Sequence, residues 1–388
     1  MEISACVKYV GVNDHQVDLF EGQYKVPNGM SYNSYVILDD KIAIMDTVDG
    51  FFTEEWLNNV EQVLDGKMPG YLVIQHMEPD HSASIPAFLK KYPKVTVVST
   101  AKGFQFMEQF FPEFFAGQGL PAEQRIVAAN DGVLELGQHS LHFVYAPMVH
   151  WPEVMMTYEA TEKILFAADG FGKFGALDAE EEWADEARRY YIGIVGKYGP
   201  QVQAVLKKAA GLDIQTICSL HGPVLKENLG FYLEKYDKWS SYQPEESGVV
   251  IAYASVYGNT RNAAEYLADV LQEKGQKTVL YDLARCDKAK AVADAFRYDR
   301  LVLAGITYNG DLFPCMRSFI EGLTERNYQN RKVAIIENGT WAPMAGKLIL
   351  GMFEKSKNLT FTETTVSIKS AMNEQNKGEI GKLAEELC

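Results

Sequence analysis

Six consecutive apolar residues, Val249-Val250-Ile251-Ala252-Tyr253-Ala254, run straight into the segment Ser255-Val256-Tyr257-Gly258-Asn259-Thr260. A strand that is apolar at every position has no face to offer water, so it has to lie in a sheet covered on both sides. Helical periodicity over Arg261–Lys274 follows at once. Further apolar strands recur at Thr278–Leu283, Leu301–Gly305 and Lys332–Glu337, with helical segments between them. This alternation predicts a parallel, doubly wound α/β sheet, and the roughly 140 residues it occupies suit one domain.

The residues before it follow another rule. Tyr32–Leu38, the turn Asp39-Asp40-Lys41 and Ile42–Asp46 read as an antiparallel pair. Strands are expected at Tyr71–Gln75, Val95–Ser99, Leu141–Ala146, Val154–Tyr158, Lys163–Ala167 and Thr216–Leu220, and helices at Glu54–Leu64, Glu180–Val195 and Gln201–Ala210. Hairpins covered by helices indicate mixed sheets in an αββα sandwich. The change of pattern falls at the polar, breaker-rich stretch Tyr242–Gly248, which reads as a linker and divides the chain into domains 1–245 and 246–388.

Composition removes several function classes. A net charge of -15 argues against nucleic-acid or anionic-membrane partners, which require basic surface. No apolar stretch is long enough to span a bilayer, and the N-terminus lacks the pattern of a signal peptide. Cys6, Cys218, Cys286, Cys315 and Cys388 are scattered and form no Cys-x-x-Cys pair, so no rubredoxin-type site or zinc ribbon is expected. Such thiols suit a reducing cytoplasm.

Histidine is scarce, with seven in 388 residues, yet two share one short run with two carboxylates: His76-Met77-Glu78-Pro79-Asp80-His81. It follows an apolar strand, where a loop can aim several side chains at one point. His150, Asp169 and His221 likewise sit where predicted strands stop, next to or near Gly or Pro. Clustered His, Asp and Glu at strand ends point to a metal site. His139 and His142 match no motif position and read as surface or structural residues, and His15 as solvated.

Downstream, Ser255–Thr260 forms a turn with hydroxyls at both ends and free N–H groups at a helix start, a cradle for phosphate. It lacks the Gly-Lys of a nucleotide-hydrolysing loop. Two further strand-end loops, Thr307-Tyr308-Asn309-Gly310 and Asn338-Gly339-Thr340-Trp341, project from the same carboxyl edge. Tyr308 and Trp341 offer flat faces suited to a flavin ring.

The pattern His-x-Glu-x-Asp-His, then a lone His, Asp and His, resembles the flavodiiron branch of the metallo-β-lactamase fold. Trp-Pro after His150 and Gly-Phe-Gly after Asp169 fit that branch. The second half, with Tyr-Gly-Asn-Thr and Tyr-Asn-x-x-Leu-Phe-Pro, resembles flavodoxin. The resemblance implies a metallo-β-lactamase-like sandwich fused to a flavodoxin-like FMN domain. It implies one iron held by His76, Glu78 and His150, a second by Asp80, His81 and His221, and Asp169 bridging them. FMN would lie on the three loops. Hydrolases of this fold carry His where this chain has Glu78; a carboxylate is harder and more anionic, favouring iron in a redox cycle over zinc.

The implied activity is reduction of O2 to water, of NO to N2O, or both. Electrons would come from an external donor such as rubredoxin or a reduced flavin or deazaflavin carrier. A head-to-tail homodimer or dimer of dimers is also implied. One departure stands out: the family often shows Phe-His-Gly near the N-terminus, and this chain has Phe20-Glu21-Gly22. Glu21, with Tyr190 and Tyr191, is therefore a candidate residue around the metal pocket. The rival expectation is a zinc-dependent hydrolase carrying a flavin-binding regulatory domain.

Overall fold

The computed structural model describes residues 2–115 and 120–388, and the chain divides into two units: Met1–Tyr191 with Pro200–Tyr236, and Ile192–Gly199 with Asp237–Cys388.

The first unit contains two mixed sheets. One orders its strands Val7–Tyr9, Tyr35–Ile37, Ile42–Met45, Pro69–Val73, Thr96–Ser99 and Arg125–Val127. The other runs Val133–Glu135, Ser140–Tyr145, Met155–Glu159, Ile164–Phe166 and Thr216–Cys218. Their inner faces share one core, in which Tyr35, Ile37, Met45, Val73 and Val98 of the first sheet meet Leu141, Phe143, Met155, Ile164 and Phe166 of the second. Alternating side-chain direction along a strand makes this possible. The helix Thr53–Leu64 buries Trp56, Val60 and Leu64, the one-face spacing of a helix lying on a sheet. The architecture is the expected αββα sandwich.

Four strands of the two sheets lead, past their carboxyl ends, to polar residues. Pro69–Val73 leads to His76, Ser140–Tyr145 to His150, Ile164–Phe166 to Asp169 and Thr216–Cys218 to His221. Asp46, just past Ile42–Met45, pins one of these ends. Fully buried, it accepts from the Gln75 backbone N–H at 2.7 Å and from Gln75 Nε2 at 2.8 Å.

The second unit is a parallel sheet in the order Thr278–Asp282, Glu246–Tyr253, Tyr298–Tyr308, Arg331–Asn338, Leu359–Ile368. The first strand in sequence is second in space, so the order reverses beside it and opens a crevice at the carboxyl edge. Helices Asn259–Glu273 and Glu374–Glu386 contribute Ala263, Leu267, Leu271, Ile380 and Leu383 to a core with Val249, Ile251, Val302 and Ile336. Doubly wound α/β is the observed class.

Three local expectations differ from the structure. Glu246–Gly248, read as linker, already belongs to the first strand of the sheet. Pairing with Tyr298 begins at Glu246, and Asp299 Oδ1 accepts from the Gly248 N–H at 2.9 Å. The expected helix Glu180–Val195 is an α-helix only over Trp183–Tyr190 and continues as a π-type turn, Tyr191–Val195. The last strand, Leu359–Ile368, was not legible in the sequence. It is a polar edge strand whose burial is concentrated at Val366 and Ile368. Among the described residues no helix is long and apolar enough to cross a membrane.

Candidate metal centre and flavin cleft

The metal-ligand run does not stay a loop. After Glu78 the chain turns into a short helix, Pro79–Ser82, with Pro79 at its first position, where a missing N–H costs nothing. One turn of helix puts Asp80 and His81 beside each other rather than on opposite sides. The turn is anchored by Thr47, whose backbone N–H and hydroxyl both donate to the His81 carbonyl, at 3.0 and 2.6 Å.

All seven predicted metal-site residues converge. Glu78 Oε2 lies 3.2 Å from His76 Nε2 and 2.9 Å from His150 Nε2. Asp169 Oδ2 faces the same two nitrogens at 3.3 and 3.2 Å. Asp80 Oδ2 lies 3.3 Å from both His81 Nε2 and His221 Nε2, while Asp169 Oδ1 stands 3.4 and 3.8 Å from that pair. The residues thus form two groups, and Asp169 turns one oxygen to each.

The donor set fits two cations on structural grounds. Both carboxylate oxygens of Asp80 and of Asp169 are buried without a hydrogen-bond donor, and His81 Nε2 and His221 Nε2 face each other at 3.0 Å. Buried carboxylates without donors are costly unless a cation meets them. In the absence of a cation the imidazoles take that role. Burial alone would raise Asp169, yet His76, His150 and His81 hold it well below the usual carboxylate range. Against their own burial, Asp169 with Glu153 and Glu78 draws His76 well up, and Asp169 and Glu78 push His150 up to about 9.

Two residues that orient the histidines had no sequence signal. Glu153, itself buried, accepts from His76 Nδ1 at 2.8 Å and from the Met77 N–H at 3.0 Å through the same oxygen. Ser31 accepts from His221 Nδ1 through its carbonyl at 2.8 Å. Each fixes which ring nitrogen is free to face the centre. A buried glutamate two residues after Trp151 would have been visible only to a reader who knew which strand end it faces.

The pocket candidates separate. The Tyr190 ring stands 5.4 Å from the His221 ring, and Phe20 meets the same imidazole edge-on at 5.4 Å. Tyr191, one step on, packs instead against Tyr236 at 5.0 Å. Glu21 follows Phe20 in a left-handed turn (φ 48°); its side chain is exposed, Gln23 Nε2 donates to its Oε2 at 3.2 Å, and the charge of Glu78 helps to raise its carboxyl.

In the second unit the three predicted loops line one cleft of about 530 Å³, Gly258 excepted. Gly258 acts through the backbone. It adopts φ 90°, which glycine alone tolerates freely, and its N–H donates to Ser255 Oγ at 3.1 Å. The helix it opens, Asn259–Glu273, has no acidic residue in its first turn, leaving its positive end open to an anion. Asn338 ties the third loop to the first through Thr260 Oγ1 at 3.3 Å and to Ser370, whose carbonyl and N–H it bonds at 2.9 and 3.0 Å. Thr307 Oγ1 accepts from the Met344 N–H at 2.8 Å and so caps the following helix. Ile306, Ala342, Met344 and Ser370 complete the lining and were not foreseen. Tyr257 and Trp341 are 93% and 90% exposed, flat rings with nothing stacked on them among the described residues.

Comparison with known proteins agrees with this division. Residues 30–222 match the family model described as ODP family beta lactamase, and residues 250–358 match a flavodoxin domain. The chain is 28% identical over 349 residues to the anaerobic nitric oxide reductase flavorubredoxin of Vibrio vulnificus, covering 86% of this chain and 69% of that one. It is 33% identical over 282 residues to diflavin flavoprotein A 1 of Synechocystis, covering 71% of this chain but only 48% of the relative. The crystal structure of the flavodiiron protein from Giardia intestinalis superimposes with a TM-score of 0.90 at 26% identity, covering 100% of this chain and 96% of that chain.

Proposed function

The chain belongs to the flavodiiron proteins, and from that premise we propose that it reduces O2 to water, NO to N2O, or both. Its cofactors are a non-haem diiron centre and FMN. We assign His76, Glu78 and His150 to one iron, Asp80, His81 and His221 to the other, and Asp169 to both. FMN is assigned to the loops Ser255–Thr260, Thr307–Gly310 and Asn338–Trp341, and the domain boundary to 245/246. When bound, the iron pair and the flavin supply electrons: four to take O2 to two waters, or two to take two NO to N2O and one water.

The observation that carries the reading is Glu78, whose one oxygen reaches both His76 and His150. A carboxylate there makes the donor set more anionic than a histidine-rich zinc site, which suits iron that changes oxidation state. Glu153 and Ser31 hold the imidazoles in register, and the rings of Phe20 and Tyr190 keep water from the His221 side. We propose that Glu21, whose carboxyl feels the charge of Glu78, hands protons toward the centre.

The Vibrio vulnificus relative's name supports NO as a substrate, and the matched flavodoxin domain supports FMN as the internal electron source. An external donor, rubredoxin or a reduced flavin or deazaflavin carrier, would refill the flavin. A head-to-tail homodimer or dimer of dimers, in the cytoplasm, completes the proposal. The zinc-hydrolase alternative is not favoured, since the chain's family and its flavin domain both point to redox chemistry. The test is anaerobic reduction of iron- and FMN-loaded protein, followed by parallel O2 and NO consumption on one sample. Turnover of either gas supports the reading. No consumption of either, with two zinc ions per chain and esterase activity, would overturn it.

A further inference from the structure

A second cluster of metal-binding groups lies at the far end of the same sandwich. Cys6 Sγ, His139 and Glu162 each bring a ligand atom within 4.8 Å of the others. Cys6 precedes the strand Val7–Tyr9, His139 precedes Ser140–Tyr145, and Glu162 precedes Ile164–Phe166. Two of these strands carry His150 and Asp169 beyond their other ends. At about 3.3 Å per residue, a strand of six residues separates the two clusters by on the order of 20 Å.

The second cluster is built rather than incidental. His139 is buried, and its Nδ1 donates to Asp39 Oδ2 at 2.8 Å. Asp39 also accepts the backbone N–H groups of Gln138 and His139, at 2.8 and 2.7 Å, and these with Asp40 hold its carboxyl at about 2 against burial. Asp39 Oδ2, held by those two N–H groups, accepts from Nδ1 and leaves Nε2 as the nitrogen that faces Glu162. This carboxylate–imidazole pairing is the usual support of a metal-bound histidine. That Nε2 faces Glu162 Oε1 at 3.9 Å. Ser4 holds the other Glu162 oxygen through its hydroxyl, and itself accepts from the Cys6 and Val7 N–H groups at 3.2 and 2.9 Å. An imidazole lone pair aimed at a carboxylate, with a thiol beside both, lacks a positive charge between them.

We propose that Cys6, His139 and Glu162 form a binding site for one zinc ion, separate from the diiron centre. Thiolate and carboxylate would together neutralise the dication, and a sulfur ligand selects zinc over magnesium or calcium. Zinc bonds of about 2.0–2.3 Å in a tetrahedron place ligand atoms roughly 3.3–3.6 Å apart. The 3.9 Å nitrogen–oxygen separation therefore has to close by about half an ångström. Cys6 and Glu162 are partly exposed, so water can supply the fourth ligand. A Cys–His–Asp nucleophile is the competing use of these residues. It is disfavoured because His139 Nε2, the nitrogen that would take the thiol's proton, already faces Glu162 Oε1 at 3.9 Å.

The test uses the iron- and FMN-loaded protein with Co2+ as the probe. A cobalt–thiolate charge-transfer band should grow in the near ultraviolet and saturate at one equivalent, and Zn2+ should abolish it. The diiron residues contain no sulfur and cannot give this band. Cys6→Ser should lose the band while keeping iron and FMN, and Asp39→Asn should weaken Co2+ binding about 10- to 100-fold. Bound zinc should also slow alkylation of Cys6 in the wild type. Absence of the band at millimolar Co2+, or an unchanged band in Cys6→Ser, would overturn the site. Cys6 is partly exposed, so its serine variant gives a reading even where His139→Ala does not fold. The outcome is independent of O2 or NO turnover.

Discussion

Glu153 gives the sharpest test of how the metal centre is held. It touches none of the nitrogens that face the centre, yet one of its oxygens serves both His76 Nδ1 and the Met77 N–H. Glu153→Ala removes that acceptor and leaves two buried donors unpaired. Each unpaired donor costs about 1–3 kcal/mol, with water entering the vacated space recovering part of the sum. The ring of His76 is then free to change tautomer or turn, and loss of such an outer partner weakens metal binding about 10- to 100-fold. Glu153→Gln retains an accepting oxygen and removes only the charge. The difference between a charge-assisted and a neutral hydrogen bond is about 1 kcal/mol, so its loss should be near fivefold. The assay is anaerobic competition for Fe(II) against a chromophoric chelator, with FMN content measured in parallel as a check on the second unit. The expected order of affinity is wild type, then Gln, then Ala. If the alanine variant binds Fe(II) within threefold of wild type while FMN is retained, Glu153 does not position His76 and the reasoning fails.

Other consequences follow from the same geometry. With His150 pushed to about 9 and His76 raised well above its ordinary value, both imidazoles hold protons in the metal-free protein, while Asp169 and Glu78 stay ionised. Metal uptake must therefore expel protons and tighten as pH rises toward 9; calorimetry in buffers of different ionisation enthalpy would detect this, and binding without proton release would contradict it. Glu78→His should shift metal selection toward zinc in an equimolar iron–zinc competition, and an unchanged metal ratio would remove Glu78 from that role. Trp341→Ala should raise the FMN dissociation constant about 2- to 12-fold, the value of one aromatic stack, without unfolding a ring that is 90% exposed; fluorescence titration of the flavin-free protein measures it. Asp39 sits near pH 2 in the folded chain against an ordinary value of 3.8, so its contribution, about 2 kcal/mol, is present above pH 4 and lost as pH falls toward 2. Denaturation of Asp39→Asn should show that deficit at pH 7 and a smaller one at pH 3, and an equal deficit at both would refute the linkage.

The elements most legible in the sequence are those whose physics is local. Val249–Ala254 announces a strand covered on both faces because every side chain in it is apolar, and Gly258 announces a tight turn because few other residues accept its backbone conformation. The ligand types at 76–81, 150, 169 and 221 were readable because histidine is scarce and each occurrence lay where a strand pattern broke. The last strand, Leu359–Ile368, was not readable because an edge strand with few buried residues carries little apolar signal.

Local sequence thus specifies the chemistry available: which donor atoms exist, that they stand at strand ends, and that a parallel sheet with a phosphate-accepting turn follows. Only the tertiary structure decided which of them meet. Glu153 orients a histidine 77 positions away, Tyr190 rather than its neighbour reaches His221, and Cys6 comes to lie beside His139 and Glu162. These pairings follow from sheet order and strand register. A register shift of one residue would turn each side chain to the opposite face and separate every pair. Contacts of that range leave no trace in local composition, because nothing near Cys6 in the chain depends on what stands at position 139.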